Sequence, residues 1–406
     1  MQAVVGGASS TAFRKEIVNI AGTADFADED TLVEDPEQNE EIVLAPPSAD
    51  EALRYFGVDF DVEGLVRRFD RHELIVPRFD PRVDETEDHG YEGFQRNFVW
   101  TKRQMDRFIE SVLLGYPVPG IFLVELESRR YVVLDGQQRL TTLASFYKGL
   151  TPEGKAFELD HVSEQFKGHL YETLDGAAQR KLNNAMIQAT ITVPQGEDGP
   201  MAIYALFERI NSGGTKLTPQ QIRVALFAGG DATQLARKMN SDPNWRTLFG
   251  TPAHRDGRDQ ELILRYLALK SVAESMLDSG SPDSVEFKPP MSAFMTKYLD
   301  QNKVIPTSSK KAEAEEFSHA CRLLIAAEGD AALRRVRTIN AARADSILAA
   351  LTLSIRRNSE LSVDQVRRAM KLTNENAEYV QFTTASTSHR KSVEGRLRIA
   401  LANFIQ

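Results

Sequence analysis

Five consecutive residues, Asp135-Gly136-Gln137-Gln138-Arg139, lie where an apolar, strand-like segment gives way to a helical pattern. A helix that begins after Gly136 exposes its first backbone N–H groups, whose positive dipole end binds anions, and the glycine would let a ligand approach the backbone. Arg139 adds a planar fork of donors that suits phosphate, and Asp135 could accept from a sugar hydroxyl or hold a metal-bound water. The turn therefore predicts an anion site; the alternative is an Asp-Gly turn with solvated Gln and Arg side chains.

Two further polar clusters could contribute to such a site. Gln95 and Arg96 lie among aromatic and apolar residues in "FQRNFVW". Asn211 ends a predicted helix just before the Gly213-Gly214 pair, which marks a loop. Asn211 could be a ligand residue or only a helix cap. If the clusters meet, arginines from two segments and an amide from a third would surround one anion.

The elements around the turn predict a compact α+β unit. Residues 52–70 resemble a short helix, and Thr101 is a predicted N-cap of the helix that follows it. "IFLVEL" and "RYVVL" predict a hairpin that leads into the turn. Residues 151–190 are predicted to be mostly helical, with a short strand at 189–194, and the rest of the chain is predicted to be helical almost throughout.

Composition is that of a globular protein. The chain has 406 residues, of which 42% are hydrophobic and 26% charged, enough for two or three domains. The single cysteine, Cys321, excludes an internal disulfide framework and a four-cysteine zinc site. Apolar runs are short and no signal-peptide pattern is visible, so no membrane association and a cytoplasmic location are expected.

Charge is unevenly distributed along the chain. Residues 25–41 carry nine acidic and no basic side chains, which accounts for the whole net charge of −9, whereas residues 331–406 hold thirteen Lys or Arg against six Asp or Glu. The basic region could contact DNA, attract the acidic segment, or simply be a solvated surface. The candidate DNA contacts are the arginines that recur in its predicted helices: Arg334, Arg335, Arg337, Arg356, Arg357, Arg367 and Arg368.

Four segments, in this order, resemble a known family: "FQRNFVW", "IESVLLGYPVPGIFL", "VVLDGQQRLTTL" and "FERINSGGTKLTPQQI". They are similar to the N-terminal domain of GmrSD-type modification-dependent restriction systems, a member of the ParB/sulfiredoxin-like superfamily with relatives in other bacterial anti-phage proteins. The resemblance covers about residues 50–270. The pentapeptide that begins at Asp135 matches the family signature without a gap.

The resemblance implies a ParB-like pocket that binds or hydrolyses a nucleoside triphosphate with Mg²⁺ and is linked to the control of DNA cleavage. It implies catalytic roles for Asp135, Gln138 and Arg139. The residues that it assigns to nucleotide binding are Gln95, Arg96, Gly136, Gln137, Thr141, Asn211 and Gly214.

The predicted organisation has four parts. They are a disordered acidic arm (1–50), a ParB-like domain with a small sheet (51–200), a helical extension that completes the family domain (201–275) and a basic α-helical domain (276–406). The histidines of the last part lack the paired pattern of the HNH-like nuclease found in full restriction proteins. We therefore expect the nuclease module to be missing.

Three functions stay open from the sequence. The chain could be a nucleoside triphosphatase of a restriction-type or anti-phage system. It could instead be a DNA-binding or sensor module without turnover that works with a separate nuclease subunit. It could also be a regulatory subunit whose acidic arm mimics nucleic acid and covers the basic region. For each of these functions the chain could form a homo-oligomer. The residues name neither the nucleotide base nor the partner.

Overall fold

The computed structural model describes residues 33–34, 52–76, 98–126, 129–196, 198–210, 219–251, 253–254, 257–279, 287–335 and 337–405. Over these ranges the chain forms an α+β unit with a mixed sheet, followed by a region that is mainly helical. The predicted α+β class and helical C-terminal region are confirmed, whereas the ParB-like topology stays a prediction.

A five-stranded sheet lies at the centre of the N-terminal part. Its strands are β2 (Leu53–Asp61), β3 (Leu74–Ile75), β4 (Ile121–Glu125), β5 (Tyr131–Asp135) and β6 (Met186–Pro194). They are arranged in the order β2-β6-β4-β5-β3. β4 and β5 form the predicted antiparallel hairpin, whereas β4 pairs with β6, and β3 with β5, in parallel.

The predicted helix over residues 52–70 is wrong in its first half. Leu53–Asp61 is a strand, and the helix α1 (Val62–Asp70) begins only after Asp61, whose carboxylate accepts from the N–H of Gly64 at 2.6 Å. All nine residues of β2 pair antiparallel with β6. Because that partner lies far away in the sequence, the local apolar spacing did not reveal the strand.

Two helices position the turn at the end of β5. The helix α2 (Lys102–Leu114) begins at the predicted N-cap, Thr101, which forms a capping box with Gln104. The helix α3 (Gln137–Tyr147) begins directly after Gly136. Buried apolar residues of α1, α2 and α3 pack in one core with the inner face of the sheet.

The prediction that residues 151–190 are mostly helical is wrong. The segment holds one helix, α4 (Gly176–Asn183), and a short 3-10 turn at Tyr171–Thr173 before β6. The fully buried carboxylate of Asp106 fixes the loop that precedes the 3-10 turn, because it accepts from the backbone N–H of His161 at 3.1 Å. A contact of this kind joins distant residues and leaves no local pattern to read.

Helices form most of the described chain after residue 198, as predicted. They are α5 (Gly199–Ile210), α6 (Pro219–Leu226), α7 (Asp231–Asn240), α8 (Pro243–Phe249), α9 (Arg258–Ser279), α10 (Met291–Gln301), α11 (Thr307–Glu328), α12 (Ala341–Arg357), α13 (Val363–Glu375), α14 (Ala377–Phe382) and α15 (Arg390–Phe404). One apolar core runs through this region from Phe227 to Phe404. Cys321 is buried in it, and burial raises the pKa of its thiol.

A small second sheet joins a segment near residue 33 to segments near residue 340. Its strands are β1 (Val33–Glu34), β7 (Arg334–Arg335) and β8 (Thr338–Asn340), with β8 in the middle. β1 pairs with β8 in parallel, which places Glu34 opposite Asn340. The rest of the predicted acidic arm, up to residue 50, lies outside the described residues.

The described residues form two large cores and one small one. The core of the sheet and its helices runs from Val62 to Ile191, and the helical core begins at Phe227. The small core joins the other face of β5 to α5 through Leu134 and Phe207. The predicted domain boundaries at residues 50, 200 and 275 stay predictions. In the described part of the chain, we find no helix with the length and apolarity that a membrane crossing requires.

Candidate functional site

The turn between β5 and α3 depends on a glycine for two reasons. Gly136 is the N-cap of α3 and has a φ of 100°, a left-handed conformation that other residues adopt at a cost. A Cβ built on it would lie 2.4 Å from Cγ2 of Ile121. The glycine therefore serves the conformation of the turn and its packing on β4. The approach of a ligand to its backbone stays a prediction.

The start of α3 is open to a ligand in one respect. Among the described residues no side chain caps its first turn, in contrast to α1, α2 and α4. The first intrahelical hydrogen bond runs from the N–H of Leu140 to the carbonyl of Gly136 at 3.0 Å. The helix also has no acidic residue in its first turn, so that its positive dipole end is not offset from within the helix.

Arg139 and Asp135 form an ion pair across the turn. One terminal nitrogen of Arg139, Nη2, donates to the carboxylate of Asp135 at 2.6 Å and to the carbonyl of Gly120 at 2.8 Å. The side chain of Arg139 is 14% exposed, and that of Asp135 is 45% exposed. An arginine in the first turn of a helix opposes the dipole, and here the protein supplies the compensating anion itself. Arg139 thus ties the end of β5 to the segment that leads into β4.

Gln138 connects the turn to the segment before α2. Its side-chain oxygen accepts from the backbone N–H groups of Val99 and Trp100, at 3.1 and 3.2 Å. Trp100 in turn packs edge-on against Phe108 of α2, with ring centroids 5.5 Å apart. Gln138 therefore acts as a positioning residue for the chain that follows Gln95 and Arg96.

Three buried polar atoms near the turn have no hydrogen-bond partner among the described residues. They are Nε of Arg139, Oγ1 of Thr141 and Oγ of Ser145. Thr141 and Ser145 lie one helical turn apart, on the side of α3 that also carries Gln138. A buried polar group without a partner costs roughly 1–3 kcal/mol. Thr141, which is 2% exposed, thus lies beneath the turn.

The four remaining residues that the sequence assigned to the nucleotide lie outside the described residues. They are Gln95, Arg96, Asn211 and Gly214. Phe98, which follows the first pair, packs against the core of the sheet, and Ile210, which precedes Asn211, ends α5. The described structure therefore assembles the signature turn, and its meeting with these residues stays a prediction.

Asp135 ends β5 beside the start of α3, and its half-exposed carboxylate is a candidate ligand for a Mg²⁺ ion. Within the described ranges, no group of three or more His, Cys, Asp or Glu side chains is arranged to hold a metal. Mg²⁺ that accompanies a triphosphate takes most of its ligands from phosphate and water and needs only one or two carboxylates. One aspartate beside a helix start fits that requirement.

Three of the seven candidate DNA-binding arginines are held by other parts of the protein. Arg356 pairs with Glu274 and Glu316, at 2.5 and 2.6 Å, and its hydrogen bonds to Glu316 raise its pKa. Arg334 donates to the carbonyl of Phe249 at 3.1 Å. Arg367 pairs with Asp364 on the surface at 2.6 Å.

The other four candidate arginines are exposed and have no ion-pair partner among the described residues: Arg335, Arg337, Arg357 and Arg368. The structure thus divides a set that looked uniform in the sequence. It also adds Arg343, which lines a cleft with Arg334 and Arg335 and which the sequence analysis missed. A single arginine at the start of an alanine-rich helix gave no signal of that environment.

Comparison with known proteins shows that the turn lies within a family match. Residues 87–228 match the family described as "GmrSD restriction endonuclease, N-terminal domain". The match contains β4, the signature turn and α3, and this part of the chain is a GmrSD-type N-terminal domain.

One curated relative, an uncharacterized protein of Methanocaldococcus jannaschii, is 25% identical over an alignment that covers 34% of this chain and 40% of the relative. The alignment therefore spans less than half of either protein. No solved structure matches the chain.

Proposed function

We propose that the GmrSD-type domain binds a nucleoside triphosphate with Mg²⁺ at the start of α3 and serves a restriction-type system. The observation that carries this proposal is the uncapped first turn of α3 beside the Asp135–Arg139 pair. Backbone N–H groups at a helix start and a fixed guanidinium are both suited to phosphate oxygens. Hydrolysis and a link to DNA cleavage are the finer parts of the proposal, and the family resemblance supports them.

Each residue of the turn has a proposed role. The first N–H groups of α3 hold the phosphates, and Arg139 approaches them with its remaining N–H donors. Asp135 keeps Arg139 oriented and supplies a carboxylate for the metal or for a water molecule. Gln138 holds the segment after Gln95 and Arg96 against the turn.

The sharpest test uses a variant that does not disturb the fold. Gln137→Glu places a carboxylate in the first turn of α3, where the dipole favours it by about 0.3–1 kcal/mol. The free protein should keep or raise its Tm. The same charge repels a triphosphate, so the rise in Tm with Mg²⁺ and each of the four common triphosphates should shrink strongly.

Gln365→Glu is the matched control, because Gln365 occupies a capping-box position on α13 that glutamate also suits. It should leave nucleotide binding unchanged. A phosphate-release assay on the same proteins then tests hydrolysis. Equal binding by Gln137→Glu and wild type would refute a site at this helix start.

A second candidate function is regulation of DNA binding by the acidic segment. The pairing of β1 with β8 favours it, because it attaches residues 33–34 to the small sheet that also contains the basic β7 strand. In this view the acidic side chains of residues 25–41 compete with DNA for the basic region. Deleting residues 1–45 should raise the affinity for a DNA duplex.

A second variant distinguishes the effect of the β1 strand on DNA affinity from the effect of the acidic charges. Replacing the acidic residues of 25–41 by Asn and Gln keeps the backbone that forms β1. It should raise DNA affinity as much as the deletion does. Unchanged affinity in both proteins would exclude this regulatory role.

A further inference from the structure

The C-terminal helical region contains a cleft with an unusual charge balance. It has a volume of about 350 Å³ and lies between β7, the start of α12 and the helices α13 and α14. Its described lining has no carboxylate. Its lining includes Arg334, Arg335, Arg343, Asn374 and Tyr379.

Two of the three arginines are held in place by neutral groups. Nε and Nη2 of Arg343 donate to the carbonyl of Ala332, and Nη1 donates to the side-chain oxygen of Asn374. Nη2 of Arg334 donates to the carbonyl of Phe249. Such acceptors fix the orientation of a guanidinium and leave its charge uncompensated.

Other buried arginines of the helical region are compensated by carboxylates. Arg265 and Arg396 share the fully buried Asp345, at 2.6 and 2.9 Å. Arg246 pairs with Asp259 at 2.8 Å. This is the usual arrangement, because a buried charge without a counterion is costly.

Arg343 departs from this arrangement, because it forms no ion pair with a carboxylate among the described residues. Burial lowers its pKa, and Tyr379 and then Glu328 act in the opposite direction. Glu328 is exposed and forms no ion pair among the described residues. An arginine stays charged at neutral pH even so. Arg335 is exposed at the cleft and has no ion-pair partner among the described residues.

We propose that this cleft binds a phosphate group, either of a nucleic-acid backbone or of a free phosphorylated molecule. Three arginines line it, and the side-chain nitrogen of Asn374 can donate as well. Its volume lies at the lower end of the range for small-ligand sites, roughly 300–1,000 Å³. The proposal deepens the second candidate function and does not depend on nucleotide binding at α3.

Arg335 offers a test that spares the fold, since its side chain makes no hydrogen bond within the described residues. Binding of a short fluorescein-labelled DNA duplex is measured by fluorescence anisotropy over a range of salt concentrations. Arg335→Glu should weaken binding about tenfold, and the log–log salt slope should fall by about one unit. Arg335→Lys, which keeps the charge and loses the fork, should fall between that variant and wild type.

Arg357→Glu is the matched control. It makes the same change in net charge at another exposed arginine, at the far end of α12, roughly 21 Å from Arg343 along the helix. It should weaken duplex binding less than about twofold. Equal losses from Arg335→Glu and Arg357→Glu, or no loss from either, would overturn the proposal as regards DNA.

A second measurement distinguishes the two sources of phosphate. Inorganic phosphate should raise the Tm of the wild type more than that of Arg335→Glu. If phosphate discriminates between these proteins and the duplex does not, the ligand is a free phosphorylated molecule. If neither discriminates, the cleft is not a phosphate site. Gln137→Glu should leave duplex binding unchanged, so that failure here is separate from failure of the nucleotide site at α3.

Discussion

The turn before α3 and the C-terminal cleft both hold arginine near a possible anion site, and they treat its charge in opposite ways. In the turn, Asp135 compensates Arg139, and the open feature is the uncapped helix start. In the cleft, Arg334 and Arg343 are held by carbonyl and amide oxygens, and their charges remain available. The partner of an arginine therefore says more about its role than its position in the sequence does.

The largest expected effect tests whether a buried arginine needs its carboxylate. Asp345→Ala removes the counterion that Arg265 and Arg396 share in the helical core. It should lower the free energy of unfolding by about 3–5 kcal/mol, measured by urea denaturation.

Asp364→Ala is the comparison, because it breaks the exposed pair with Arg367 and should cost less than about 1 kcal/mol. Similar losses from both variants would mean that uncompensated charge is tolerated in the core. The lack of a carboxylate partner would then no longer set the arginines of the cleft apart from those of the core.

A smaller loss is expected from Gly136→Ala. The new Cβ must adopt a left-handed φ and would meet Ile121, so the free energy of unfolding should fall by about 2–4 kcal/mol. Gly168→Ala has a similar φ of 76° and nothing within 4 Å, and should cost about 1–2 kcal/mol. If both variants lose the same amount, contact with Ile121 is not what requires the glycine.

Gln138→Ala should have a more local effect. It removes the acceptor for the N–H groups of Val99 and Trp100 and should cost about 1 kcal/mol. With Trp245→Phe as background, Trp100 is the one remaining tryptophan, and its emission should shift to longer wavelength. Gln138→Glu keeps an acceptor oxygen and should show a smaller shift; an unmoved spectrum in Gln138→Ala would argue against the positioning role.

The smallest effect is expected from a variant that leaves Arg139 without a carboxylate partner, as the arginines of the cleft are. Asp135→Asn keeps the shape of the side chain and removes the charge that compensates Arg139. Affinity for inorganic phosphate should rise roughly two- to fivefold, since the pair is partly exposed. Isothermal titration can measure the change. Weaker binding by this variant would instead indicate that Asp135 acts on the ligand directly.

Local patterns predicted the elements that surround the turn. The hairpin of β4 and β5, the N-cap at Thr101 and the start of α3 after Gly136 all depend on residues close together in the sequence, and all are present. The strand β2 was missed because its pairing with β6 is remote. The loop held by Asp106 was missed for the same reason.

The chemical state of the candidate sites was harder to predict than the elements. The sequence shows that Arg139, Arg343 and Arg356 are basic, and it does not show which groups neutralise them. Arg139 meets a carboxylate four residues away, Arg356 meets three glutamates from other helices, and Arg343 meets a carbonyl and an amide. These differences arise only when distant helices pack together.

The pairing of Glu34 with Asn340 also sets an order of events during synthesis. The two residues are separated by 306 positions, so β8 leaves the ribosome long after β1. At roughly 5–20 residues per second, β1 waits about 15–60 seconds for its partner strand. During that interval β8 has not yet been synthesised, so the β1 strand of the acidic segment has no strand to pair with.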